Sequence, residues 1–363
     1  MLDFTSRPPN NGGRDLSLYM LDIFFLQAYN LEKLLKEGIV MIILKKQKNT
    51  DFKILNLTDP QLLTHEWEKE HVGYKVLTYT VNKLINEINP DLITVSGDIS
   101  AAEYPEAYTN FAKLIDAFDI PWAVVWGNHD NQGGAETIQK YVDEYRTYKN
   151  FVYQEGPKEL GNGNYVIAIE EDGKIVHGII MMDTHDREFE KNDKGEDVWY
   201  WGKLYPEQLP WYEGMVKDLQ SKGCNETTII SHIPIYAYRT AYDAAWNKEY
   251  NPEDVSFEMS KTGVCWNDGY KNSFGVNLEG ICSYEHDEGM FDLIKKLGST
   301  KLYICGHDHI NSSCIEYDGV KLMYGLKTGR GCYYKAPYNG GTVVKINSCG
   351  KTDAYHHFCD ENI

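Results

Sequence analysis

A surplus of positive charge, closely spaced cysteine pairs and a long uninterrupted apolar run are all missing from this sequence. Its 36 Lys and Arg residues are outnumbered by 54 Asp and Glu residues, which gives a formal net charge of −18. Because a nucleic-acid backbone is bound by clustered basic side chains, we expect no nucleic-acid partner. A small phosphorylated ligand is still compatible with this charge, because bound divalent metal ions reverse the local potential.

The cysteines do not form a recognisable framework. None of the eight belongs to a C-x-x-C pair, which argues against a structural zinc ribbon. A chain of 363 residues also has no need of the disulfides that hold small secreted domains together. We therefore expect reduced and mostly buried thiols.

The first fifty residues contain neither a clear membrane span nor a clear signal peptide. The apolar stretch 16–35 is interrupted by Asp22, Gln27 and Glu32, whereas a membrane span needs about 20 largely uncharged residues. No compact apolar core followed by small residues marks a cleavage site. We expect residues 1–50 to be a partly helical extension, with no stable membrane span, and the protein to be cytoplasmic.

From residue 51 onward the sequence has the regular pattern of an α/β protein. Apolar β-rich runs alternate with amphipathic helical segments, and this order predicts parallel strands with helices on the faces of the sheet. The first six segments are 53–57, 73–88, 92–95, 104–117, 122–125 and 135–145. Later strands and helices are predicted at 165–169, 175–182, 207–220, 228–230, 288–297, 302–304, 313–317, 320–324 and 342–346.

We expect one large domain, residues 51–350, followed by a C-terminal tail at 351–363. Residues 236–285 are rich in aromatics and poor in periodicity, and a loop of this length is typically a lid or an insertion. Its aromatic side chains either line a ligand pocket or pack the insertion onto the domain. They are Tyr236, Tyr238, Tyr242, Trp246, Tyr250 and Trp266.

Five short polar blocks each follow a predicted strand. Ligands of open α/β sheets bind beyond the carboxyl ends of the strands, so these blocks are predicted to converge on one site. Their carboxylate, amide and imidazole groups, without a thiol, suit divalent Mn, Fe, Zn or Mg. The blocks are Asp59-Pro60-Gln61, Gly97-Asp98, Gly127-Asn128-His129-Asp130, Ser231-His232 and Gly306-His307-Asp308-His309.

This ordered set resembles the signature of the calcineurin-like metallophosphoesterases. The resemblance covers residue 51 to about residue 345, and within the family it is most like the purple-acid-phosphatase-29-like branch, through segments 58–62, 122–130 and 327–331. It implies a four-layer α/β/β/α sandwich with mixed sheets. It also implies hydrolysis of a phosphomonoester or phosphodiester by a hydroxide that two divalent metal ions activate.

Carried over position by position, the resemblance implies a role for each residue of the blocks. His129 would protonate the leaving oxygen, and Asp130 would orient its imidazole. Arg330, in a glycine-flanked segment, either grips phosphate oxygens or belongs to a simple turn. One metal ion would be held by Asp59, Asp98 and His309 with help from Gln61, and the second by Asp98, Asn128, His232 and His307.

Two positions depart from the family pattern. Gln61 stands where many members have histidine, and a neutral amide oxygen is a weaker ligand than imidazole. Ala101 stands where purple acid phosphatases have a metal-binding tyrosinate. We therefore predict a colourless metal-loaded protein.

Other interpretations remain open for single residues and for the chain as a whole. Asp183 and His185 form a second D-x-H at a strand end, but in the wrong order for the signature, and are interpreted as strand-end and loop residues. A nucleotide pyrophosphatase would use the same metal ligands with a different pocket. A non-catalytic scaffold with this fold is the alternative from another class, although the presence of His129 argues against it.

Overall fold

Two mixed β-sheets form the centre of the structure. A computed structural model of the chain describes residues 41–192 and 194–359, so most of the extension predicted for residues 1–50 lies outside the described residues. The strands are β1 (Ile42–Lys45), β2 (Phe52–Leu57), β3 (Leu92–Ser96), β4 (Trp122–Val125), β5 (Tyr165–Glu171), β6 (Lys174–Met181), β7 (Arg187–Lys191), β8 (Asp197–Trp201), β9 (Thr227–Ile230), β10 (Thr300–Cys305), β11 (Cys314–Tyr317), β12 (Val320–Tyr324), β13 (Gly340–Ile346) and β14 (Thr352–Phe358).

Helices cover the outer face of each sheet. They are α1 (Val72–Ile88), α2 (Pro105–Asp116), α3 (Asn128–Asn131), α4 (Gly134–Tyr145), α5 (Gln208–Ser221), α6 (Ala237–Ala245), α7 (Phe257–Ser260) and α8 (Met290–Leu297). Short 3-10 turns lie at Lys158–Leu160, Pro252–Asp254, Gly263–Cys265 and Asp268–Tyr270. Among the described residues, no helix has the length and apolar composition that crossing a membrane requires.

The two sheets pack against each other to form the inner core. One sheet has the order β14-β13-β2-β3-β4 and the other β1-β5-β6-β9-β10-β12-β11. Ile54 and Val125 of the first sheet share one apolar cluster with Ile167 and Ile304 of the second. Helices α1, α2 and α4 pack on the outer face of the first sheet, whereas α5 and α8 contact the second. The predicted four-layer α/β/β/α sandwich with mixed sheets is therefore confirmed.

Local sequence explains the elements nearest to the site. Strands β3 and β4 are buried at every position, which is why they are continuous apolar runs without alternation. Helix α2 begins with Pro105 at its first position, where the missing N–H costs nothing. Helix α1 ends at Asn89, which has the left-handed conformation (φ 49°) that closes many helices. Both helices thus end where the sequence predicts the next strand.

The domain extends beyond residues 51–350 at both ends. Strand β1 pairs in parallel with β5, and β14 pairs antiparallel with β13. Residues 42–45 and 352–358, expected in the extension and the tail, are therefore edge strands of the two sheets. Polar side chains obscured β14, because edge strands tolerate charged and polar residues, whereas β1 is a mostly apolar strand of only four residues next to an N-terminal segment of irregular sequence pattern.

Three aromatic side chains of the 236–285 insertion serve packing. Tyr238 is fully buried in α6, and its hydroxyl donates to the carbonyls of Tyr303 and Met323. Trp266 is also fully buried and packs edge-on against Trp246, with ring centroids 5.0 Å apart. Of the two alternatives, the structure supports packing onto the domain for these three residues.

Candidate metal centre

The five polar blocks lie at the carboxyl ends of five strands and meet between the sheets. Strands β2, β3 and β4 are parallel in one sheet, and β9 and β10 are parallel in the other. The two sets of strand ends come together where His232 Nε2 lies 3.4 Å from Asp98 Oδ2 and His309 Nε2 lies 3.3 Å from Asp59 Oδ1. Residues from both sheets therefore share one site, as open α/β sheets allow.

Backbone strain is concentrated at this site. Asp59, Asp98 and His307 have positive φ angles of 49°, 53° and 77°. Residues other than glycine rarely adopt this region. Gly127 allows a close approach of the two loops, because a Cβ there would lie 2.1 Å from Asp98 Oδ1. Strain of this kind persists where surrounding structure enforces it, and it is typical of functional sites.

One half of the centre is formed by Asp98, Asn128, His232 and His307. The Nδ1 of His232 donates to the carbonyl of Ser96 at 2.7 Å, so its Nε2 is the nitrogen that faces the site. This Nε2 lies 3.0 Å from Asn128 Oδ1 and 3.4 Å from Asp98 Oδ2. The three atoms are all acceptors when His232 is neutral, so a cation is needed between them.

The pKa values of the two histidines in this half are shifted in opposite directions. Burial disfavours the charged form of His232, but the Asp98 carboxylate outweighs it and the pKa rises to about 10. In the absence of a metal ion, a proton is thus the cation that His232 binds. Burial, together with the charge of His232, lowers the pKa of His307 to about 3. The Nε2 of His307 is buried and has no hydrogen-bond partner among the described residues.

The other half is formed by Asp59 and His309, with Asp98 shared. The Nδ1 of His309 donates to the carbonyl of Tyr333 at 3.2 Å, which leaves its Nε2 facing Asp59. Asp59 Oδ2 accepts from the Thr58 hydroxyl at 2.6 Å, whereas Oδ1 is buried without a hydrogen-bond partner among the described residues. Burial raises the pKa of Asp59, but the histidines and Lys327 lower it more, and the carboxylate stays charged.

Both halves fit divalent metal ions by their donor chemistry. Asp98, His232 and His307 each offer a ligand atom within 4.8 Å of the others, and so do Asp59, Asp98 and His309. Imidazole nitrogens and carboxylate oxygens suit borderline and hard divalent ions. The unpartnered buried atoms of Asp59 and His307 are the polar groups that a bound ion would satisfy.

The structure places Asp130 differently from the prediction. Its buried carboxylate accepts from the backbone N–H groups of Gly127, Asp98 and Ile99 and from the Tyr108 hydroxyl. Burial and the nearby Asp98 raise the pKa of Asp130 to about 7. With these bonds Asp130 fixes the loop that carries Asp98. It does not orient the His129 imidazole as predicted; that ring instead contacts Gln132, with Nδ1 3.3 Å from Gln132 Oε1.

Gln61 and Arg330 lie on neighbouring segments. Gln61 is buried; its Nε2 donates to Asp98 Oδ2 at 3.2 Å and its Oε1 accepts from Lys327 at 3.1 Å. The segment 327–331 packs against 59–61, since a Cβ at Gly329 would lie 1.9 Å from the Pro60 carbonyl oxygen. The guanidinium carbon of Arg330 lies 5.1 Å from the centroid of the Tyr334 ring.

Asp183 and His185, the second D-x-H, form hydrogen bonds within the fold. The Asp183 carboxylate accepts from the Asn131 side chain, the Asn162 N–H and the His185 N–H. The Nδ1 of His185 contacts the carbonyl of Lys203 at 2.9 Å. These partners support the interpretation of Asp183 as a strand-end residue and His185 as a loop residue.

Sequence reasoning missed two residues that touch the centre. In the sequence Lys327 stands out only as part of the segment of Arg330, three residues after the end of β12. Trp201 gave no signal, since it lies in the hairpin β7–β8; its ring lies 4.5 Å from the His307 ring, edge to face.

Comparison with known proteins agrees with this geometry. The family model described as calcineurin-like phosphoesterase matches residues 52–311. The chain belongs to this family. The predicted family membership is thereby confirmed, and a hydrolase of the phosphatase and phosphodiesterase type is the general class that the family represents.

Individual relatives are distant in sequence. Probable inactive purple acid phosphatase 29 of Arabidopsis thaliana is 26% identical over 337 residues, which cover 84% of this chain and 78% of the relative. Phosphatase DCR2 of Saccharomyces cerevisiae is 27% identical over 320 residues, which cover 81% of this chain and 50% of the relative. A dimetal phosphatase structure from Danio rerio has 13% identity and a TM-score of 0.47, with coverage of 84% of this chain and 98% of the other.

Proposed function

We propose that this chain hydrolyses a phosphomonoester or phosphodiester of a small molecule with two divalent metal ions, of the Mn, Fe, Zn or Mg type. One observation supports this most directly: the Ser96 carbonyl turns His232 Nε2 towards Asn128 Oδ1 at 3.0 Å and Asp98 Oδ2 at 3.4 Å, so a cation, either a proton or a metal ion, must lie among the three atoms. Such an arrangement is unfavourable when empty and favourable around a cation. The ligand sets are Asp59, Asp98 and His309 for one ion, and Asp98, Asn128, His232 and His307 for the other.

The residues of the chain have separate tasks in this proposal. Two bound ions would supply a nucleophilic water at neutral pH and would stabilise charge on the phosphoryl oxygens. His129 lies at the start of α3, and its backbone N–H donates to Asp98 Oδ1 at 2.9 Å, which ties its position to the centre. Its imidazole Nδ1 contacts Gln132 Oε1, so Nε2 is the nitrogen proposed to act on the leaving oxygen.

Arg330 is proposed to bind the phosphate of the substrate. The segment that carries it packs against residues 59–61, beside a proposed metal ligand. Among the described residues Arg330 contacts Tyr334 by a cation–π interaction and forms no salt bridge. Its guanidinium therefore keeps donors that can engage phosphate oxygens.

The test combines metal analysis with a substrate panel. The purified wild type and His129→Ala are assayed with chromogenic phosphomonoesters and phosphodiesters and with nucleotide anhydrides, with and without added Mn²⁺. We expect metal-dependent hydrolysis by the wild type and a loss of about 100-fold or more in His129→Ala with its metal content unchanged. Unchanged activity in His129→Ala would contradict the role of His129, and selective cleavage of anhydrides would favour the nucleotide pyrophosphatase.

A non-catalytic alternative is favoured by one observation. The Gln61 amide oxygen accepts from Lys327, whereas many family members have a histidine ligand at this position. A protein that binds metal ions but cleaves no substrate of the panel would act as a scaffold, and the proposed catalysis would be wrong.

A further inference from the structure

A buried lysine lies against the Asp59 half of the centre. Lys327 is only 1% exposed, and its Nζ donates to the backbone carbonyl of Asp59 at 3.0 Å and to Gln61 Oε1 at 3.1 Å. Both acceptors are uncharged oxygens, and Lys327 forms no salt bridge within the described part of the chain. Burial lowers the pKa of Lys327 to about 8, and the carboxylate that most opposes this shift is that of Asp59.

The lysine also determines how the Gln61 amide is turned. An ammonium group only donates hydrogen bonds, so the amide oxygen of Gln61 must face Lys327. The amide nitrogen then faces the centre and donates to Asp98 Oδ2 at 3.2 Å. An N–H donor cannot bind a metal ion, so in this arrangement Gln61 is not the ligand that its place in the motif implies.

We propose that Lys327, acting directly and through Gln61, makes the Asp59–His309 half a much weaker metal position than the His232–His307 half. The chain then holds one tightly bound ion and one weakly bound, exchangeable ion. This inference rests on the proposed metal centre. Lys327 is a positioning residue in it, because it touches the backbone and side chain of the motif and not the reacting atoms.

Two physical effects act in the same direction. A fixed positive charge in a buried site of low dielectric repels a second dication much more than it would in water. Removal of Gln61 from the ligands leaves Asp59, Asp98 and His309 as the protein donors of the weak half, and Asp98 is shared. The other half keeps Asn128, His232 and His307 in addition to Asp98, so it has the larger and less crowded donor set.

The decisive measurement is the metal stoichiometry as a function of free Mn²⁺. Chelator-stripped protein is dialysed against buffered Mn²⁺, and the bound metal is quantified by mass spectrometry. We expect two binding steps in the wild type that differ by about 100-fold in Kd. In Lys327→Met the weaker step should tighten by about tenfold or more, while the tighter step stays unchanged.

Two further variants make the outcome independent of folding. Lys46→Met is the matched control, because Lys46 is another buried lysine, paired with Glu171 away from the centre, and it should leave both steps unchanged. Lys327→Gln keeps a hydrogen-bond donor for Gln61 Oε1 but removes the charge, so the weaker step should tighten here too, even if Lys327→Met does not fold.

Each outcome separates this inference from the proposed function. Two steps of equal affinity in the wild type would overturn the inference and leave the metal centre intact. A weaker step that neither Lys327→Met nor Lys327→Gln changes would also overturn it. A wild type that binds no Mn²⁺ at all would overturn the proposed function together with the inference.

Discussion

The two halves of the metal centre contain the same kinds of side chain but have different surroundings. In the half of His232 and His307, the supporting groups are uncharged: the Ser96 carbonyl holds one imidazole, and the Trp201 ring lies against the other. In the half of Asp59 and His309, a carbonyl again holds the imidazole, but a buried ammonium group donates to the backbone carbonyl of Asp59. The first surroundings favour a bound dication and the second oppose it.

This contrast shows that metal affinity depends on residues outside the motif. The motif supplies ligands for both halves at the ends of strands, and within it the amide of Gln61 distinguishes the Asp59 half from the other. Lys327, which lies 268 positions after Asp59 in the chain, supplies the difference through one hydrogen bond to a backbone carbonyl. The predictions that follow separate the two halves, beginning with the change that should affect both.

Asp98→Asn should have the largest effect, because Asp98 is shared by the halves. The amide cannot bridge two cations, so we expect metal affinity to fall by about 1,000-fold, beyond the roughly 10- to 100-fold typical for loss of an outer supporting residue. The measurement is bound metal per chain after dialysis, and hydrolytic activity should be lost in parallel.

The matched control for this change is Asp183→Asn. Asp183 is also a buried strand-end aspartate of a D-x-H, but its carboxylate is occupied by the Asn131, Asn162 and His185 donors. Its variant should retain the metal content of the wild type even if it is less stable. Equal metal loss in the two variants would mean that local unfolding, rather than loss of a bridging ligand, explains the Asp98 result.

The comparison of His232→Ala with His309→Ala should give the next largest effect. Removal of His232 should weaken the tight step by about 100-fold or more, because the ion loses an imidazole that Ser96 holds in place. Removal of His309 should leave the tight step unchanged and eliminate the weak one. Metal titration of both variants checks this. The asymmetry would be disproved if His232→Ala and His309→Ala changed the two binding steps in the same way.

The sequence predicted the fully buried strands more accurately than the partly exposed ones. Strands β3 and β4 were predicted to within one residue, because strands buried on both faces are continuous apolar runs. The edge strand β14 and the hairpin β7–β8 were missed, because partly exposed strands carry polar residues that weaken the pattern. The edge strand β1 was missed because it is only four residues long.

The site was predictable only in part for a similar reason. The ordered blocks identified the residues that the structure brings together, from Asp59 to His309. The contacts around them could not be predicted, because Lys327 and Trp201 reach the centre through tertiary folding and not through spacing in the chain. Asp130 belongs to a block, but its place in the Asp98 loop appeared only with the structure.

Acid pH should destabilise the fold independently of the metal centre, with a smaller effect. Burial lowers the pKa of His177 to about 4, and its ring nitrogens contact the Gly350 carbonyl and the Thr228 hydroxyl. The unfolded chain therefore binds a proton more readily, and stability falls as pH drops from the unfolded pKa of about 6.5 towards 4. Between about pH 7 and pH 5 this group should cost about 2 kcal/mol.

Urea unfolding of metal-free protein over this pH range measures the loss. His356 has its pKa lowered in the same direction by burial, so His177→Asn should reduce the pH dependence rather than abolish it. A variant with the same pH dependence as the wild type would show that another group is responsible. Metal-free protein is used because acid also releases metal ions by protonating the ligands of both halves.

Trp201→Ala should have the smallest effect and should act on one half alone. The Trp201 ring lies 4.5 Å from the His307 ring, edge to face, whereas the Asp59 half has the Tyr333 ring 4.2 Å from His309. Loss of the indole should free the His307 imidazole to rotate and weaken the tight step by about fivefold, without change in the weak one. Phe189→Ala is the control, since Phe189 lies in the same hairpin and is 77% exposed. If both variants weaken the tight step equally, the hairpin as a whole supports His307, and the indole has no specific part in the asymmetry.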